Sequence, residues 1–488
     1  MKHYLAPFYC TIALLALGSI KGLSQTISSQ EVDLDFIDYL FKDYDGQRPS
    51  ASVMVIKDGE IAFAKSYGYA DLANKVLATP KTNYRIASVS KQFTAMAIML
   101  LVDQGLVSYE TPISDIFPSF PAYGKDITLQ HLLTHRSGLV SYNRFIEEGQ
   151  TEQLLDKDVL AGLLKTDSTY FEPGSTYKYS NTGYAVLAQA VERLSGLSFA
   201  DFMAKEIFSP LGMSASRILE IGEPIAHRAY GYIVKDTSVT AKDQSLSSAI
   251  QGDGGVYTSL FDYYKWDQAL DTDSLLPHSS LNEAFFSYDE NGKSADKGYG
   301  YGWKVSYDKG VKLLQHGGSS TGFGSYVIRI PSEKLSIVLF TNRNKRGSDL
   351  QHRAMALASH FSKGKFQTPF ELVLAKEIDQ NGIDSGISLY ERIKSDTASY
   401  SVTKESMFYF GLNYINDIQN MEALGILSCL AQDHPKYFGG YYGRGIVYAR
   451  MKDKENAISN FQKTIEFAKE NQSWAVDRAR EMIDNLSK

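Results

Sequence analysis

Apolar and polar positions alternate along "SASVMVIKDGEIAFAKSYGYAD", Ser50 to Asp71, on both sides of Asp58-Gly59. That dipeptide accepts the positive φ angles of a two-residue turn, so the pattern predicts a β-hairpin. Strand-like runs return only much later, as "YGWKVSYD", "VKLLQHGG", "SYVIRIPSE" and "KLSIVLFTNRN" between Tyr301 and Asn344. The chain between the two groups reads as helix, including the apolar run "KQFTAMAIMLLVDQG", which Gly105 should end as a C′ residue. This order predicts an α+β fold: an antiparallel sheet assembled from both ends of the segment, with a helical subdomain inserted between them.

Composition shifts near residue 365. Beginning at Phe366 almost everything reads as helix, with only Pro369 and Pro435 as breaks, which predicts a domain of residues 25–365 followed by an all-α domain of residues 366–488. Gly411 and Gly445, Tyr414 and Tyr448, and Ala423 and Ala457 each stand 34 residues apart. The C-terminal part therefore resembles tetratricopeptide repeats, in which small residues let two helices of a unit approach closely. "NGIDSGISLYERI" supplies a weaker earlier unit. The resemblance implies a groove for a protein or peptide partner.

Charge narrows the field of partners. Lys plus Arg is 50 against 56 Asp plus Glu, a net charge of -6, which argues against a general affinity for nucleic acid or anionic membranes. The N-terminus carries Lys2, an apolar stretch from about Ala6 to Ile20, and small residues Gly22 and Ser24 spaced as at a signal-peptidase site. Residues 1–24 read as a secretory signal, giving an exported, periplasmic or extracellular chain that begins near Gln25. The run falls short of the roughly 18 apolar residues a spanning helix needs, so no stable membrane span is expected in the mature chain. Removal of Cys10 would leave Cys429 as the only thiol and no intramolecular disulfide.

The candidate chemistry sits in "RIASVSKQFTA". Lys91 follows Ser88 by three residues, a spacing that puts amine and hydroxyl on one helical face. Five other serines also have a lysine three residues on, yet only Ser88 opens a long apolar helix, where backbone N–H groups and the helix dipole suit an oxyanion. Ser90 has no such partner. Further signals follow in fixed order: Tyr179-Ser180-Asn181 in "FEPGSTYKYSNTGY" and His316-Gly317-Gly318 in "HGGSSTGFGS". In "HLLTH" His131 and His135 have metal-ligand spacing, but no glutamate stands beside the first as in H-E-x-x-H, so neither metal nor cofactor is expected.

Together with "ITLQHLLTHRSGL", "GDGGVYTSLFDYYKW" and "YGYGW", these motifs resemble the penicillin-recognising serine hydrolases, in the branch of class C β-lactamases, D-alanyl-D-alanine carboxypeptidases, D-aminopeptidases and esterases. The resemblance implies Ser88 as acylated nucleophile, Lys91 as the lysine that helps deprotonate it, and Tyr179 as the second proton carrier. It implies Asn181 as a holder of the substrate's acyl side, His316, Gly317 and Gly318 as the substrate-binding strand edge, and the N–H of Ser319 with that of Ser88 as the oxyanion hole. Class C β-lactamases carry Lys where His316 stands, whereas several D-peptide hydrolases and esterases carry His. The expected activity is thus hydrolysis of small amides or esters, D-amino-acid peptides first. The alternative is a sensor or scaffold that binds a peptidoglycan-like ligand without turnover and recruits a partner through the repeats.

Overall fold

The computed structural model describes residues 33–235, 238–288, 297–343, 348–416 and 419–487; the predicted signal segment and Cys10 lie outside the described residues. After a short helix α1 (Leu34–Leu40), strands β1 (Ala51–Lys57) and β2 (Glu60–Tyr67) pair antiparallel with Lys57 opposite Glu60. Asp58 and Gly59 close the turn at φ 53° and 83°, the left-handed pair that a two-residue hairpin requires. Helices α2 (Lys91–Asp103) and α3 (Asn181–Ser195) belong to the inserted helical region. The chain then returns to the sheet as β3 (Gly298–Tyr299), β4 (Lys304–Asp308), β5 (Val311–Ser320), β6 (Phe323–Ile330) and β7 (Leu335–Thr341).

These seven strands form one antiparallel sheet in the order β3-β4-β5-β6-β7-β1-β2, with Ala51 opposite Thr341 and Lys57 opposite Leu335 where the two ends of the segment meet. Period-two alternation sorts β1 into two faces. Met54 and Ile56 join Val338, Phe340 and the α2 residue Phe93 in one core; Val53 and Val55 join Ile337, Leu339 and residues of α1 and of α4 (Ser348–Phe361) in another. Both faces are covered, so Ala51–Ile56 are all buried and the apolar–polar alternation expected of this segment does not hold in β1, although the hairpin forms as predicted. Helix α2 is buried from Lys91 through Leu101 and stops where predicted: Gly105, at φ 70°, donates its N–H to Val102 O, and Leu106 donates to Leu101 O.

The C-terminal part contains helices α5 (Phe370–Asn381), α6 (Ile383–Ile393), α7 (Lys404–Asn416), α8 (Asn420–Asp433), α9 (Phe438–Arg450), α10 (Lys454–Phe467) and α11 (Ser473–Ser487). The glycines spaced by 34 residues occupy matching contacts. A Cβ on Gly411 of α7 would lie 2.7 Å from Leu427 of α8, and one on Gly445 of α9 would lie 2.7 Å from Phe461 of α10. Ala423 and Ala457 are both fully buried. At the junction, Phe366 is buried in the sheet-side core while Phe370 belongs to the core of the C-terminal helices.

Candidate active site

Ser88 lies in a 3-10 turn, Ala87–Ser90, that runs directly into α2. Ala87 before it adopts φ 47°, a left-handed conformation unusual for alanine that sharpens the turn and leaves Ser88 half-buried. Ser90 points inward and is fully buried, its Oγ accepting the Val256 N–H at 3.1 Å. Strand β5 pairs with β4 only as far as Gln315, so from His316 onward one of its edges is free of β4, and this half of β5 packs on the Ser88 turn. The approach is close: a Cβ on Gly318 would collide with Ile86 O and Ser325 Oγ and stand 3.2 Å from Ser88 N. Ser88, Asn181, Ser319, Tyr142, Asp253 and Thr321 line a cavity of about 260 Å³.

Lys91 is fully buried at the foot of this cavity, and its Nζ donates to three oxygens: Ser88 Oγ at 3.2 Å, Asn181 Oδ1 at 2.9 Å and the backbone O of Asp253 at 2.8 Å. Ser180 faces away from the cleft and caps α3, accepting the Gly183 N–H at 3.2 Å, which leaves Asn181 free to turn toward Lys91. The carbonyl of Asp253 is held by carboxylates behind it. Asp156 accepts the N–H groups of Gln251 (2.7 Å) and Gly252 (3.1 Å), and Asp253 itself accepts from the Tyr142 hydroxyl at 2.9 Å. Burial pushes the Asp156 carboxyl up to about 7 and raises that of Asp253, because low-dielectric surroundings disfavour the charged form.

Tyr179 does not line the cavity; it stands beside Lys91, with Nζ 5.0 Å from its ring centroid, and remains 40% exposed. His316 is buried, with Nδ1 2.8 Å from Gly317 O and Nε2 2.7 Å from the Tyr299 hydroxyl. Nδ1 must donate to the carbonyl, so Nε2 accepts from Tyr299. Burial, and then the Lys91 charge, lower its pKa to about 3, so the ring is neutral. Its ring lies 6.3 Å from that of Tyr179. The two histidines of "HLLTH" separate: His131 closes a capping box with Thr128, while His135 is buried against Tyr179 and Tyr299.

The strand edge of β5, the sharp turn carrying Ser88 and the buried lysine reaching its hydroxyl define a serine hydrolase of the β-lactamase fold. The chain matches the Beta-lactamase family over residues 35–361 and belongs to that family. It is 30% identical over 382 residues to Penicillin-binding protein 4* of Bacillus subtilis (strain 168), covering 74% of this chain and 83% of that protein. With Putative penicillin-binding protein PbpX of the same strain the identity is 31% over 255 residues, 52% of this chain and 61% of the relative. Among solved structures, the octameric penicillin-binding protein homologue from Pyrococcus abyssi superposes with a TM-score of 0.59 at 25% identity, covering 71% of this chain and 81% of that one. EstCE1, a hydrolase with promiscuous acyltransferase activity, shares the fold at a TM-score of 0.55 and 20% identity, over 64% of this chain and 94% of its own. Among the described residues no helix is long and apolar enough to cross a membrane.

Proposed function

We propose that the chain is an exported serine hydrolase that acts through an acyl-enzyme on small amides or esters, D-amino-acid peptides first. One observation carries the reading: a fully buried lysine amine 3.2 Å from a half-buried serine hydroxyl on a cavity wall. Lys91 acts as the neutral amine, having first released one of its three protons to solvent; Ser88 Oγ then attacks the substrate carbonyl carbon while its own proton passes to the freed Nζ lone pair. The tetrahedral oxyanion is met by the N–H groups of Ser88 and Ser319. As the bond to the leaving group breaks, the proton returns through Tyr179 to the departing nitrogen or oxygen, leaving an ester on Ser88. Water, deprotonated by the same groups, then releases the acyl portion and regenerates the hydroxyl. His316 at the third motif in place of lysine favours D-peptides and esters over β-lactam antibiotics. The C-terminal helices serve as tetratricopeptide-like repeats that hold a protein or peptide partner.

A fluorophosphonate probe tests the nucleophile. Labelling should map to Ser88, vanish in Ser88→Ala and persist in Ser90→Ala, which loses only a buried hydrogen bond of about 1 kcal/mol. Labelling that survives the Ser88 change refutes the assignment. Because members of such a unit act together, Lys91→Ala and Tyr179→Phe should each remove most of the turnover measured on a panel of esters and D-amino-acid amides. Export is tested separately, by N-terminal sequencing of the protein recovered outside the cytoplasm, with Gln25 the expected start.

A further inference from the structure

Tyr179 is exposed and lies on the extended segment before α3, yet proton transfer to a leaving group requires its hydroxyl to be held in place. A single residue grips the chain on both sides of it. The N–H of Lys178 donates to the backbone O of His135 at 3.0 Å, and the N–H of Ser180 donates to His135 Nδ1 at 3.1 Å. Between these two bonds the imidazole packs on the Tyr179 ring, centroids 4.1 Å apart and planes 40° apart. The Tyr299 ring supports the imidazole at 4.3 Å, and Tyr299 is itself tied to His316.

His135 is an expensive residue to keep in this position. Its backbone sits at φ 60°, a region costly for most side chains, and it is fully buried. Because Nδ1 accepts, the proton must be on Nε2, and that buried N–H has no hydrogen-bond partner among the described residues. Burial and the nearby Lys91 charge hold the ring neutral, which keeps the Nδ1 lone pair available to Ser180. His135 also packs on the buried Tyr184 ring at 5.2 Å, but its two polar contacts to residues 178–180 fall on either side of Tyr179.

We infer that His135 is a positioning residue for Tyr179, clamping residues 178–180 so that the tyrosine hydroxyl can deliver a proton to the leaving group. This rests on the proton-carrier role proposed for Tyr179. It also fixes what His135 should and should not affect. A leaving group that departs as a stable anion needs no proton, so acylation by substrates of that kind, read as kcat/KM, should be indifferent to the clamp, while acylation by poor leaving groups should depend on it.

The test compares p-nitrophenyl butyrate with ethyl butyrate on the full-length chain. His135→Leu, which removes the acceptor, should lower kcat/KM for the ethyl ester about 10–100-fold and change the p-nitrophenyl ester by less than about threefold, mostly through kcat. His135→Asn should recover most of the loss, since asparagine tolerates positive φ and offers Oδ1 where Nδ1 stood. If His135→Leu fails to fold by circular dichroism, His135→Gly replaces it, removing the ring while relieving the backbone. In a Tyr179→Phe background the His135 change should cost nothing more. Equal losses on the two esters, a further loss in the Tyr179→Phe background, or a folded His135→Asn as impaired as His135→Leu overturns the inference. Normal ethyl-ester turnover by Tyr179→Phe alone overturns the proton-carrier role instead.

Discussion

Two serines a residue apart in "SVSK" have opposite fates because of what lies beyond the helix. Ser90 turns into the core and satisfies the Val256 N–H, while Ser88, one step past the left-handed Ala87, stays on the cavity wall. The Ser88–Lys91 pairing was legible because both groups lie on one turn, where spacing fixes geometry. The groups that hold the pair were not. Asp253 contributes a backbone carbonyl, which no residue type announces, and Asp156 comes from a distant helix start. Asp156 nonetheless gives a measurable signature. Its carboxyl titrates near 7 in the fold against 3.8 when exposed, so the folded state binds more protons between these values. The stability it contributes is fully present below about 4 and is lost as pH rises through 7. Asp156→Asn cannot titrate, so the parent's Tm minus the variant's should be more positive at pH 4.5 than at pH 7.5; a difference that is constant or grows more positive toward pH 7.5 would contradict a buried, protonated Asp156.

At the scale of elements, the sheet followed from Asp58-Gly59, from the strand-like runs on either side of it and from the late cluster of apolar runs, because strand composition and turn chemistry are local properties. The order in which strands pair is not local. That β1 meets β7, and that β5 outruns β4 and presents its end to the Ser88 turn, depends on packing across the molecule. Gly318 marks the closest point of that approach, and its requirement for glycine is steric rather than conformational. Gly318→Ala must push β5 away from Ile86, Ser325 and Ser88 N. With the Ser88 N–H in its proposed role as oxyanion donor, its loss from alignment predicts a kcat lower by about 10²-fold, with fluorophosphonate labelling slowed in parallel. At Gly317 the nearest atom to a Cβ is on the Tyr326 side chain at 3.3 Å, so Gly317→Ala should fold normally and keep most of its kcat. Similar losses in the two variants would show that strand proximity at Gly318 does not set the oxyanion geometry.

For the whole molecule, the sequence places the boundary between Lys365 and Phe366, whereas packing argues for a seam a few residues later. Phe366 is 0% exposed and lies in the core between the sheet, α1 and α4, and its carbonyl accepts from Ser359 Oγ at 2.9 Å. Phe370 is the first large residue of the C-terminal core. The remaining links across the seam include Thr368–Pro369 with Tyr400–Ser401 and the contacts of Tyr39 and Lys42 with Asp379, and the latter are exposed. Exposed pairs of that kind contribute little, while deleting a buried phenylalanine costs about 3–5 kcal/mol. Every cavity-lining residue precedes position 322, and the C-terminal helices meet the hydrolase part at α1, α4 and the turn at Lys309 rather than at the cavity. We therefore expect a chain ending at Pro369 to hydrolyse a small ester within about twofold of the full-length rate, as separable repeats allow. One ending at Lys365 should unfold several degrees lower, because it lacks Phe366. Assayed on a longer D-peptide as well, the Pro369 chain should again match the full-length protein. Loss confined to the longer substrate would make the helices part of the substrate site, and equal melting temperatures for the two truncations would return the boundary to Lys365.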